Sequence, residues 1–225
     1  MATITLRFIG TIIMNQLSII HHPYIYLVFI SFHLFSGQGL TGVCYWLRFG
    51  KSPIICYQKK SHNQHHLISQ WLILPVLVWF SCISLYALSQ DFRSSCFNWP
   101  LSIINPLYGW GIAITGLVGM LVCQYEMGEA FRVGQESKKE QSQNILKTKG
   151  CFKFSRNPIY FFSILYLIGV SLWSLIWPVW IALMTIMVLI HFLVLEEEHF
   201  LAQRFGDAYL IYKKSAPRYI GLIRT

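Results

Sequence analysis

Residues 156–160 read Arg156-Asn157-Pro158-Ile159-Tyr160, and the chain then stays apolar to Leu195 before it meets Glu196-Glu197-Glu198. Only His191 and a few Ser and Thr interrupt the apolar run. One helix of that length would overshoot a hydrocarbon layer of about 30 Å. Pro178, beside Trp177 and Trp180, is the natural break, because proline cannot continue helical hydrogen bonding and tryptophan favours the lipid–water boundary. The stretch therefore reads as a hairpin of two spans, about 158–175 and about 179–195. Such a hairpin brings the glutamates back to the membrane face that Arg156 and Asn157 left. Carboxylates at the end of a membrane helix are costly, so the two elements are expected to build one polar pocket at the lipid boundary.

The rest of the chain supports a membrane setting. Of 225 residues, 55% are hydrophobic and 12% charged, whereas soluble domains carry about a quarter charged residues. Aromatic residues, at 16%, suit both lipid–water boundaries. A formal net charge of +9 would suggest nucleic-acid binding in a soluble protein. Here the basic residues gather between apolar spans, where orientation and anionic headgroups account for them, and no nucleic-acid module is visible. The six cysteines form no C-x-x-C pair and read as small packing residues, not a disulfide framework.

Three further spans precede the hairpin: Tyr24 to Leu47, Leu67 to Leu88 and Leu107 to Tyr125. Ser36-Gly37-Gln38-Gly39 would let another helix approach the first of them closely. Residues 1–20 read as an interfacial segment, with a spanning helix as the alternative. Basic residues crowd 48–66, 128–156 and the tail, and are nearly absent from 91–105 and 176–178. Five spans with the N-terminus outside and the C-terminus inside put every basic segment in the cytosol. From Glu196 to Lys214 an amphipathic helix is expected, with Leu201, Phe205, Ala208, Tyr209 and Tyr212 on one face. The expected fold is thus all-α: a polytopic bundle of about five transmembrane helices with a cytosolic C-terminal amphipathic helix. Residues 1–126 form its N-terminal membrane region and 127–225 the part that carries the chemistry.

Each candidate residue has an ordinary structural reading. Asn157-Pro158 is a good helix start, and Arg156 and Tyr160 suit the headgroup level. The three glutamates stop a span and begin a solvated helix. They point about 100° apart, so only one or two can face a common pocket.

The order of motifs adds more. Met127-Gly128 precedes Phe131-Arg132-Val133-Gly134, and Leu146, Thr148 and Gly150 form L-x-T-x-G. The Arg156–Tyr160 element follows, then the hairpin, then Glu197-Glu198-x-x-Leu201, Phe205-Gly206-x-x-Tyr209-x-x-Tyr212 and Pro217-Arg218. This set resembles the isoprenylcysteine carboxyl methyltransferase-like family, which includes phospholipid methyltransferases. The resemblance covers about residues 127–220 by motif and spacing, and earlier residues only by hydropathy. It implies an integral membrane methyltransferase using S-adenosylmethionine, held in a cytosol-facing cavity among helix ends, with a lipophilic acceptor entering from the bilayer. It also implies that Arg132, Gly150, Arg156, Asn157, Pro158, Tyr160, Glu197 and Glu198 line the cofactor site, and that Arg156 and Glu197 are catalytic. Many members, the prenylcysteine enzymes included, have His where this chain has Asn157, which turns the expectation away from a prenylcysteine substrate.

The chemistry of the cofactor assigns roles independently. Glu197 or Glu198 can pair with its ammonium or hold ribose hydroxyls, and Arg156 or Arg132 can pair with its carboxylate. The helix start after Asn157 offers backbone N–H groups to an anion, and Tyr160 can stack or donate. Glu126, Glu129 and His191 are further candidates near the cavity, the first two as bases for an amine acceptor. No metal is expected: His62, His65 and His66 form H-x-x-H-H, but the remaining histidines are scattered without the companion motifs of a di-iron site. The acceptor is a lipid amine, a carboxylate or a thiol. The competing readings are an NADPH-dependent membrane reductase of sterol-reductase type and a non-catalytic membrane protein of the same fold. A bacterial inner membrane is the expected location, with endoplasmic reticulum as the alternative.

Overall fold

The structure is a computed structural model that describes residues 24–25, 28, 31, 47, 64–95, 106–128, 146–174 and 176–220. Most of the first expected span, the segment 1–20, Arg132 and Glu129 lie outside the described residues. So does the H-x-x-H-H loop, save the backbone of His65 and His66 in the first turn of a helix.

Every regular element among the described residues is a helix. They are α1 (Gln64–Leu88), α2 (Gln90–Ser95), α3 (Pro106–Met127), α4 (Cys151–Phe154), α5 (Pro158–Ser174), α6 (Trp177–Phe205) and α7 (Asp207–Ser215). Among the described residues, three stretches are long and apolar enough to cross a membrane: Gln70–Leu88, Tyr108–Met127 and Trp177–Phe205. The apolar α5 has 17 residues, about 26 Å of helix, close to the lower limit for a span. The expected spans over 67–88, 107–125 and 158–175 therefore exist as helices, with ends displaced by a few residues.

Two helix pairs organise the bundle: α3 lies on α5, and α1 lies on α6. Small residues set the first pair. A Cβ on Gly109 would stand 2.8 Å from the Gly169 carbonyl oxygen, and one on Gly116 would run into the backbone N of Tyr166. Lipid is as apolar as leucine, so such helices associate through close van der Waals packing, which small residues permit. The indole Nε1 of Trp79 on α1 donates to Ser171 Oγ on α5 at 2.8 Å, a buried polar contact that ties the pairs together. Trp79, Ile83, Tyr166, Val170, Leu183 and Ile186 form the core between them. The opposite faces expose Trp71, Leu74, Ile181, Met184 and Val188, an apolar exterior suited to lipid.

The tail differs from the expected single helix beginning at Glu196. Nothing breaks α6 after Pro178, which sits in its first turn, so the helix runs unbroken through the three glutamates to Phe205. At 29 residues it is about 44 Å long and outruns the hydrocarbon layer. The chain turns at Gly206, whose φ of +53 favours glycine, and α7 follows. Despite the turn, Leu201, Phe205, Tyr209 and Tyr212 still converge, packing on Phe152 and Ala216 in a second small core. Ala208, expected on the same face, is exposed.

Candidate functional site

Because α6 continues unbroken beyond Leu195, it holds Glu197 and Glu198 at fixed angles on one element. Glu198 turns toward the corner that precedes α5. Its Oε1 accepts from Arg156 Nη2 at 3.1 Å, Arg156 Nε at 3.3 Å and Asn157 Nδ2 at 3.1 Å. The same oxygen accepts from Arg218 Nε at 3.0 Å, and Oε2 accepts from Arg218 Nη2 at 3.1 Å. Glu198 is buried, as is the side chain of Arg156, at 5% and 8% exposure. A buried carboxylate persists only with such a complement of donors.

Arg156 spends its third nitrogen as well: Nη1 donates to the carbonyl oxygens of Lys213 and Ala216, at 2.8 Å and 2.7 Å. All of the bonds of the Arg156 guanidinium shown here are internal, to Glu198 and to the tail carbonyls. Backbone bonds fasten the same corner to the tail. Arg156 N donates to Pro217 O at 2.9 Å, and Asn157 N and Nδ2 both donate to Arg218 O at 3.2 Å. Ser155 Oγ joins them on Arg218 O, also at 3.2 Å. Residues 216–218 are thereby pinned along 155–157. Asn157, read as a helix start, precedes Pro158 at the first position of α5, yet its side chain reaches across to Glu198 and the tail.

Glu197 faces α5. Its Oε1 accepts from the Tyr160 hydroxyl at 2.7 Å, and both residues are half-buried. Glu196 is half-buried too, so none of the three glutamates is fully solvated. Two turns back along α6, the His191 Nδ1 lies 3.1 Å from the Tyr219 hydroxyl, which puts the tail residue after Arg218 against the apolar end of the cluster.

Gly150 and Glu126 form a neighbouring corner. Glu126, at the end of α3, accepts from the backbone N of Cys151 at 2.6 Å. Gly150 has φ +63, and a Cβ there would collide with the Glu126 carboxylate. Glycine thus serves both the backbone conformation and the close approach. Glu126, considered as a base, is engaged in holding the start of α4.

The tail carries the electrostatic signature of the cluster. The hydrogen bond to Glu198 raises the pKa of Arg218. Burial, with the Glu198 charge, pushes the Tyr209 hydroxyl up to about 12. Burial also raises Tyr212 and Tyr219. Tyr212 stays a donor, giving its proton to Phe152 O at 2.6 Å.

The structure therefore brings together Arg156, Asn157, Pro158, Tyr160, Glu197 and Glu198, and sets Gly150 at the adjoining corner. It adds Arg218, Tyr209 and Tyr219, which the motif reading quoted or passed over without a role. The signal for Arg218 was present: a carboxylate buried at the lipid boundary needs more positive charge than one arginine supplies once that arginine also serves carbonyls. Among the described residues, no group of histidine, cysteine or acidic side chains is arranged to hold a metal.

Residues 104–208 match the family model described as phospholipid methyltransferase, consistent with the family resemblance read from the motifs. No curated protein and no solved structure matches the chain. The match suggests methyl transfer on a lipid-related substrate, and together with the three apolar helices among the described residues it suggests a membrane protein.

Proposed function

We propose, from that family match and the geometry of the α5–α6 corner, that this chain is an integral membrane methyltransferase. It transfers the methyl group of S-adenosylmethionine to a lipophilic acceptor that enters from the bilayer, such as a lipid amine. The observation that carries the proposal is the meeting of two elements some forty residues apart: Asn157 Nδ2 with Glu198 Oε1 at 3.1 Å, and Tyr160 with Glu197 at 2.7 Å. The hairpin does return the acidic cluster to the Arg-Asn-Pro corner.

The residues fit the donor's charges. Glu197 is a half-buried carboxylate carried by a hydroxyl partner, suited to an ammonium group or ribose hydroxyls. Arg156 and Glu198, bonded to each other and to the tail, hold the corner in shape. In this reading Arg156 acts on the donor through Glu198 and Asn157, while Tyr160, Glu197 and the start of α5 at Pro158 face it directly. Gly150, and Arg132 beyond the described residues, complete the proposed lining. S-adenosylmethionine, when bound, supplies a methyl carbon on a cationic sulfur, open to in-line attack by the acceptor's lone pair. The protein's task is alignment and exclusion of water, which can account for several powers of ten in rate. An amine acceptor also sheds a proton, and Glu197, beside Tyr160, and His191, beside Tyr219, are the candidates on α6 to receive it.

We further propose the five-span, N-out/C-in topology, with α5 as a short span and residues 127–225 as the reacting half. The bacterial inner membrane is the proposed location. One-sided thiol labelling of intact vesicles checks the topology, with Cys151 and Cys96 expected on opposite faces.

The functional test is incubation of membranes containing the protein with methyl-labelled S-adenosylmethionine, followed by extraction of lipids. Label is expected in a lipid product with the native chain and to be lost with Glu197→Ala, a variant that leaves the Glu198 cluster intact. No labelled species above that of membranes lacking the protein, under any lipid supplement, removes the proposal.

A further inference from the structure

Among the described residues the site contains two guanidiniums, and only one has anything left to offer. Arg156 is 8% exposed, and its Nε, Nη1 and Nη2 are all engaged with Glu198 and two carbonyl oxygens. Arg218 approaches Glu198 from the other side through Nε and Nη2 alone. Its side chain is 32% exposed, and its Nη1 makes no hydrogen bond among the described residues. The backbone on either side is fixed, since its carbonyl accepts from Ser155 and Asn157 and the next residue, Tyr219, holds His191. Arg218 is therefore a pre-oriented guanidinium with one edge bound and one edge open, and the carboxylate it holds, Glu198, is the α6 neighbour of Glu197.

From this juxtaposition we infer that Arg218 is the anion-binding residue of the site. Its open edge takes the oxyanion of a zwitterionic ligand whose ammonium group faces Glu197. The inference deepens the methyltransferase reading and rests on it. Two zwitterions fit that chemistry: the α-amino-acid end of the methyl donor, with its carboxylate and ammonium, and an aminophospholipid headgroup, with its phosphate and amine. An arginine fork suits either oxyanion, because two N–H groups can meet two oxygens. The Glu198 carboxylate on the opposite edge keeps the fork from rotating, so little side-chain freedom is lost on binding. The role assigned by sequence to Arg156 thus passes to Arg218, while Arg156 remains the positioning residue beneath it.

The test uses the full chain, purified in lipid nanodiscs, and reads binding instead of turnover. Four ligands are compared: S-adenosylmethionine, its decarboxylated analogue, a short-chain aminophospholipid, and an alkylamine of the same length without phosphate. In Arg218→Gln, affinity for one oxyanion-bearing ligand is expected to fall about tenfold or more, the scale of a lost charge-assisted hydrogen bond. Affinity for the partner lacking that oxyanion is expected to stay at the native value, and Arg218→Lys is expected to lie between. Loss confined to S-adenosylmethionine assigns the donor's carboxylate, and loss confined to the phospholipid assigns the headgroup phosphate. Equal loss for ligands with and without the oxyanion makes Arg218 a structural residue only and overturns the inference. So does unchanged affinity for all four. A native protein that binds no S-adenosylmethionine removes the methyltransferase reading itself, a result seen before any variant is made.

Discussion

Removing the charge of Glu198 should unfold the Arg156–Arg218 end of the bundle well before it informs on catalysis. In Glu198→Gln the carboxylate that receives five donor contacts becomes a neutral amide. Arg156, at 8% exposure, is then left as a buried guanidinium with carbonyl partners only. Breaking a buried ion pair by removing one partner costs about 3–5 kcal/mol. Two features place this case near the lower end. The new amide keeps an oxygen that can accept, and Arg218, at 32% exposure, can turn its fork toward water. A loss of about 3 kcal/mol lowers the unfolding midpoint of a chain this size by on the order of 6–12 °C. Intrinsic tryptophan fluorescence during a thermal ramp in detergent measures it. Glu196→Gln, for which no ion pair is found among the described residues, is the control and should change little. A midpoint within about 2 °C of native for Glu198→Gln would show that the cluster is solvated or rearranged, and would refute the assignment of Glu198 as the buried centre of charge.

Two further substitutions test the framework on which the site stands. Gly116→Val should push α3 off α5, because the added Cβ meets the backbone of Tyr166 and the carbonyl oxygen of Phe162. Gly111→Ala, with nothing within 4 Å of its added Cβ, should be silent. Overpacking against backbone costs at least about 1–3 kcal/mol, so the first variant is expected to lose most of its monodisperse fraction in size-exclusion chromatography and the second none. Gly150→Ala should displace Glu126 from the start of α4 and strain a backbone at φ +63, costing about 1–3 kcal/mol in the same thermal ramp. Glu126→Gln keeps an acceptor for Cys151 N and should cost less than Gly150→Ala, a ranking that fails if Gly150 serves only as a flexible link.

The parts of the fold that could be read in the sequence follow from one-dimensional physics. Apolar length located α1, α3 and α5 and the start of α6 to within a few residues, and Pro158 at the first position of α5 is where propensity puts it. What escaped are features decided by three-dimensional contact. The close packing of α3 on α5 comes from Gly109 and Gly116 meeting Gly169 and Tyr166, a relation that no single helix displays. The length of α6 was underestimated because charged residues were taken to mark a boundary. Glutamate is a good helix former, and only Gly206, with its positive φ, ends the helix. At the site, spacing paired Glu197 and Glu198 with the Arg-Asn-Pro corner, but periodicity alone did not say which glutamate is enclosed. Tyr160 and Arg218 decide that: the first takes Glu197, the second completes the shell of Glu198.

That division of labour has a physical logic. A carboxylate at the edge of the hydrocarbon layer must be satisfied before it can organise anything else, and Glu198 is satisfied by two guanidiniums and an amide. One carboxylate against two guanidiniums leaves the enclosed cluster with a net positive charge, and its open edge is Arg218. The neighbouring Glu197 is negative and points to a different helix. The four groups sum to zero while remaining separated in space, a pattern complementary to a zwitterion and poorly matched to a simple anion or cation. Under the proposed function, His191 and Tyr219 stand between the apolar length of α6 and this alternation of charge. The proposed function asks the same few residues to orient a charged donor and the polar end of a lipid together, and a separated, balanced set of charges is the arrangement that task requires.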